Sequence, residues 1–123
     1  MRPALAVVVL LAAAGCATEK TYEGPDKPLK ELARIDGAPA LNAGLPIEAI
    51  IRKVDSKPIG VGYSRVLVLP GVHSLLVDCL IPAEHTTTRF ELSIDVSAGD
   101  RYVLVPESAT GNRNCGNVRI EPR

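Results

Sequence analysis

Residues 73–81 read "HSLLVDCLI" and residues 89–96 read "RFELSIDV". In the first stretch Leu75, Val77, Cys79 and Ile81 fall on one side of an extended chain, with Ser74 and Asp78 on the other. In the second, Phe90, Leu92, Ile94 and Val96 alternate with Arg89, Glu91, Ser93 and Asp95. A period of two marks a strand with one face buried and one in water. The polar stretch "PAEHTTT" (82–88) between them reads as a loop. Together they predict antiparallel β structure.

The neighbouring segments extend this pattern. Upstream, "LPGV" (69–72) offers Pro70 and Gly71 for the two central positions of a type II turn, Pro supplying φ near −65° and Gly a positive φ. "IGVGYSRVLVL" (59–69) ends in an unbroken apolar run, which predicts a central strand or one covered on both faces. "IEAIIRKV" (47–54) is a further strand candidate, closed by a turn at "DSKP" (55–58). "PLKELAR" (28–34) reads as one helical turn or an extended edge, and "DGAPALNAGLP" (36–46) as loop. Downstream, "SAGD" (97–100) turns into the strand "RYVLVP" (101–106); a polar loop (107–117) leads to a last short strand, "VRI" (118–120). The expected fold is all-β, a small antiparallel β-sandwich of five to seven strands over residues 29–123.

Composition agrees with that class. One Phe, three Tyr and no Trp leave Val, Leu and Ile to build the core, which favours strands. Few rings are available to stack on bases or sugars. Lys+Arg and Asp+Glu balance at 14 each, and no Lys/Arg run occurs, so no electrostatic footprint for nucleic acid is expected.

The N-terminus bears on location. Residues 4–14, "ALAVVVLLAAA", form an apolar run of eleven. A spanning helix needs about 20 residues, so this run fits the core of a signal peptide over residues 1–15. Cys16 follows Ala13-Ala14-Gly15, and this step resembles a bacterial lipobox, with Ala13 where Leu is usual and Leu11 two residues early. The resemblance implies acylation of Cys16 and cleavage before it, leaving 108 residues. A plain secretory cleavage at the same small residues is the other reading. Several acyl chains would hold the protein to a membrane without a spanning helix. Residues 16–28, polar and rich in Gly and Pro, then read as a flexible lipidated tether. Ala17 after the cysteine, rather than Asp, resembles the outer-membrane type, in the periplasmic leaflet.

With Cys16 given to lipid, Cys79 and Cys115 remain, and in an oxidising compartment two cysteines pair. Two free thiols, with Cys79 as a small core residue, are the alternative.

The order of the "VDSKP" turn, "LPGVHSLLV", an alternating strand and "AGDRYVLV" resembles small proteobacterial outer-membrane lipoproteins and is similar to PEGA-type β-sandwich modules. The residues that carry the likeness are Asp55, Pro58, Pro70, Gly71, His73, Leu75, Val77, Gly99 and Tyr102, with "TYEGP" near the anchor, over about residues 16–105. Where Ser56 stands that pattern usually has Gly. The resemblance implies a fold and carries over no catalytic residue.

Chemistry is sparse. Ser64 in "GYSRV" lacks the second Gly and the following helix of a nucleophile elbow. "GVG" (60–62) lacks the third Gly and the helix of a phosphate cradle. His73 is expected to pack beside Tyr102 or to cap its turn, and His85 beside Glu84 supplies too few ligands for a metal. No catalytic residue, metal or cofactor is therefore assigned. The expectation is a non-enzymatic envelope lipoprotein that binds, assembles or supports, with a sheet edge open to a protein partner. The alternative is a small periplasmic hydrolase or metal-dependent enzyme using His73 or His85.

Overall fold

A strand with one apolar face needs a second layer to cover it. The computed structural model describes residues 17–42, 45–109 and 113–123, and in it two sheets cover each other. The predicted signal peptide and Cys16 lie outside the described residues. The strands are β1 (Ala17–Lys20), β2 (Ala33–Asp36), β3 (Ala38–Asn42), β4 (Leu45–Val54), β5 (Lys57–Pro58), β6 (Tyr63–Val68), β7 (Gly71–Ile81), β8 (Thr86–Val96), β9 (Arg101–Ser108) and β10 (Cys115–Pro122). One sheet has the order β1-β6-β2-β9-β10; the other runs β3-β4-β7-β8, with β5 paired to β4. The all-β sandwich expected from the alternation is the fold observed.

Its details depart from expectation in three ways. Ten strands form among the described residues, where five to seven were expected. Residues 36–46, read as loop, supply β3 and the start of β4, because small residues there still complete a backbone ladder. The first sheet is also not purely antiparallel: β1 pairs parallel with β6, and β2 parallel with β9. Third, the stretch 16–28 is not a free tether. Ala17–Lys20 pairs with β6, and Tyr22 is buried, its hydroxyl accepting the Lys27 N–H at 3.0 Å. The sandwich thus includes Ala17–Lys20, ahead of the residue 29 expected as its start.

The core follows from the alternation. Leu75, Val77, Cys79 and Ile81 are all 0% exposed. They pack with Ile47, Ile51, Val54, Ile94 and Val96 of their own sheet, and with Ile35, Val66, Val68, Leu104 and Val118 of the other. β6 lies between β1 and β2, so its apolar run is central within its sheet. Only Val66 and Val68 face the core; Leu67 is half-buried and Leu69 is exposed.

The chain crosses between the sheets at short links. Gly37 joins β2 to β3 where a Cβ would lie 2.6 Å from the Ala49 carbonyl oxygen, so glycine permits the close approach. Pro70 and Gly71 make a second crossing. The bend there does not close a hairpin, because β6 and β7 belong to different sheets and share no ladder. The chain bends at Pro70, whose missing N–H suits the end of a ladder, and Gly71 starts β7 at φ 125°. The predicted turn at 55–58 is a two-residue hairpin. Asp55 and Ser56 both hold positive φ, 48° and 69°, as a type I′ turn requires.

Cys79 and Cys115 form a disulfide, with Cα atoms 6.1 Å apart. It fastens β7 of one sheet to β10 of the other across a separation of 36 residues. On the chain-entropy model such a loop contributes about 3–4 kcal/mol. A Cys79→Ala/Cys115→Ala variant should keep its β circular dichroism and lose stability of that order in a urea melt. A midpoint equal to the parent's would contradict the clasp.

Candidate functional site

Three polar clusters stand on this frame. The first ties the Asp55–Ser56 hairpin to β7. His73 Nδ1 lies 2.5 Å from Asp55 Oδ2, and His73 Nε2 lies 2.5 Å from the Leu69 carbonyl oxygen. Carboxylate and carbonyl oxygens both accept, so the ring nitrogen is the donor in either bond. Ser74 N–H donates to Asp55 Oδ1 at 2.8 Å. Burial works to raise the Asp55 pKa, but the bonds from His73 and Ser74 and the ring's charge outweigh it and hold the carboxyl below its ordinary value. Of the two expectations for His73, the turn-capping bond is the one observed. The residue holds structure in place.

The second cluster sits on the outer face of the β4-β7-β8 sheet. Asp78 is buried between Arg52 on β4 and Arg89 on β8, with Arg52 Nε at 2.9 Å and Arg89 Nε at 2.8 Å. The bond from Arg89 is the chief cause of its lowered pKa; burial opposes, and the bond from Arg52 adds to the lowering. Two guanidinium groups close over one carboxylate, and the cluster staples three strands.

The third cluster is the candidate site. On β2, Ala33 and Ile35 point into the core, so Arg34 and Asp36 point out. Arg65 of β6 stands opposite Asp36 and donates from Nε to Oδ1 at 2.9 Å. Arg101 of β9 is in register with Arg34. Beyond β10, the Arg123 N–H bonds the Arg101 carbonyl oxygen at 2.8 Å, which brings its guanidinium to Asp36 Oδ2 at 3.0 Å. Arg34 Nε lies 3.3 Å from Asp36 Oδ1, is itself buried and has no hydrogen-bond partner. Three arginines thus share one carboxylate whose side chain is 6% exposed, and a fourth, Arg101, stands beside Arg34. Burial lowers the Arg34 pKa; Asp36 opposes this, while Arg65, Arg101 and Arg123 add to it.

A cleft of about 250 Å³ adjoins this cluster, lined by Leu29, Lys30, Leu67, Arg34, Asp100 and Arg101 among others. Its one acid, Asp100, accepts the Tyr102 hydroxyl at 2.9 Å, and this bond is the main reason the Tyr102 pKa is raised.

The other sequence candidates do not converge. His85 ends a short 3₁₀ turn, Pro82–Glu84, in the left-handed conformation and is exposed. It lies beyond Ile81, so β7 separates it from His73 by roughly 26 Å. Ser64 lies within β6, and the chain continues from it as strand with no helix following. Among the described residues no group of three His, Cys, Asp or Glu is placed to hold a metal ion. The arginine cluster was missed because its members come from positions 34, 65, 101 and 123, and no local motif joins them. Reading "ARID" as a strand would have put Arg34 and Asp36 on one outer face.

No family model matches the chain, and neither a curated protein nor a solved structure matches it.

The Asp55 contacts give a pH test. A depressed carboxylate stabilises the fold above the unfolded value, about 3.9, and that contribution disappears as pH falls through the folded value. Asp55→Asn should therefore lower the urea midpoint at about pH 7 and differ little from the parent at about pH 2. An equal deficit at both would contradict the role given to the ionised carboxylate.

Proposed function

We propose that the protein is a non-enzymatic lipoprotein of a bacterial outer membrane, held in the periplasmic leaflet by lipid on Cys16 and acting there as a binding or assembly module. The observation that carries the reading is the position of β1. Pairing starts at Ala17, which is in register with Tyr63, so no spacer separates Cys16 from the sandwich. An acylated Cys16 would hold the whole fold against the bilayer surface. At that end of the sheet Val61 is 96% exposed and Tyr63 37%, an apolar pair suited to the headgroup region. The loop that presents them leans on β1 through the Gly60 N–H, which donates to Glu19 Oε1 at 3.0 Å.

Two further features favour the reading. Both cysteines other than Cys16 are used in the disulfide, as suits an oxidising compartment. β8, eleven residues long, is the last strand of its sheet among the described residues, and such an edge can accept a strand from a partner. The likeness to PEGA-type modules belongs to the same proposal. Under it His73 serves the hairpin and His85 its loop, and neither carries out hydrolysis.

In a bacterial host, Cys16→Ala should abolish incorporation of labelled palmitate and move the protein out of the outer-membrane fraction. Persistent label in that variant would mean the acyl chain is elsewhere or absent from Cys16.

A further inference from the structure

The arginine cluster is an arrangement the fold alone does not favour. Arg34 and Arg101 are adjacent in the parallel ladder, and like charges placed side by side on a sheet face repel. Arg34 Nε is buried without a hydrogen bond. Arg101 has no carboxylate partner among the described residues, and Asp36 is already shared by Arg65, Arg123 and Arg34. By contrast, Arg119 on the same sheet is matched by Glu107 and Glu121. The whole chain has no net charge, so the excess at this place is local.

The cleft next to Arg34 and Arg101 adds Lys30 to the cationic side, while Asp100 is engaged by Tyr102. Leu67 and Leu29 give it an apolar side, and Leu29 is 64% exposed on the Leu29–Glu31 turn. Guanidinium groups arriving from two strands offer paired N–H donors to the oxygens of a tetrahedral anion. A monoester phosphate carries nearly two charges at neutral pH.

We propose that the cleft between the Leu29–Glu31 turn and β9 binds a phosphate group, held by Arg34 and Arg101 with Lys30 at its rim. The inference does not depend on acylation of Cys16. The phosphate can come free in solution or on a lipid headgroup, and Leu29 would lie beside the acyl or glycerol part in the second case. The cleft adjoins Arg34 and Leu67, and Leu67 pairs with Lys20, three residues along β1 from Ala17. It therefore lies about 10 Å along the sheet from the residue next to Cys16.

The test is calorimetric titration of the purified full chain in detergent at low salt, first with inorganic phosphate and then with micelles carrying phosphatidic acid, whose headgroup is a phosphate monoester. Binding of either supports the site, and the tighter of the two identifies the source. Affinity should fall at least tenfold in Arg101→Gln and should fall as salt is raised. It should be unchanged in Arg119→Gln, whose arginine is already paired. Because Arg101 is exposed, its replacement should leave the fold intact. A second measurement needs no heat of binding. Phosphate should raise the melting temperature of the parent and not that of Arg101→Gln, while Arg101→Gln without phosphate should melt at or above the parent. Failure of both ligands to bind the parent, or equal binding by Arg101→Gln, overturns the proposal.

Discussion

Leu75, Val77, Cys79 and Ile81 of β7 have no exposed surface, and the opposite sheet packs on them. Each apolar side chain so buried contributes about 1.5–3 kcal/mol, before the entropy of ordering it is set against the gain. The third of the four residues does more, because its sulfur is bonded to Cys115 on the facing sheet. A domain of this size with 3% aromatic residues has few large side chains to fill its interior. Branched aliphatic residues and a covalent clasp supply what rings supply elsewhere. The other elements take positions set by β7: β4 and β8 pair along its two edges, and β10 is held over it by the bridge.

The outer faces of the two sheets use charge differently. Over the β4-β7-β8 sheet one aspartate is closed by two arginines, and the charges there are local partners of one another. Over the β6-β2-β9-β10 sheet one aspartate is shared by three arginines, and Arg101 beside them has no carboxylate partner in the described part of the chain. The first arrangement fastens strands together. The second costs the fold through like-charge repulsion, and an anion from outside would balance it.

What was legible in the sequence was whatever depends on period two. The strands at 73–81 and 89–96 alternate, and their core-facing residues follow from that alone, whereas Asp78 on the other face of the first is buried under its arginines. The Cys79–Cys115 pair followed from cysteine arithmetic. Features that depend on which sheet a strand joins were not legible. Pro70-Gly71 has the composition of a hairpin turn, and only the topology turns it into a crossing between layers. Residues 17–20 are polar enough to read as a tether, yet their backbone pairs with a strand more than forty positions away. The arginine cluster is the extreme case: its Asp36–Arg123 contact joins residues 87 positions apart. Residue types at such separations carry no mutual signal in a single sequence.

The location of β1 connects this fold to its proposed place in the cell. If Cys16 carries lipid, the first ladder residue follows the anchor directly, and the sandwich stands on the bilayer with Val61 and Tyr63 at the contact. Mass spectrometry of proteolytic peptides from the chain extracted from bacterial membranes, without reduction, tests this account most directly. The account predicts an N-terminal peptide that begins at Cys16 and carries a diacylglyceryl group and an amide-linked acyl chain, together with a linked peptide pair containing Cys79 and Cys115. An N-terminus at any other residue with an unmodified Cys16, or Cys79 recovered as a free thiol, would contradict it.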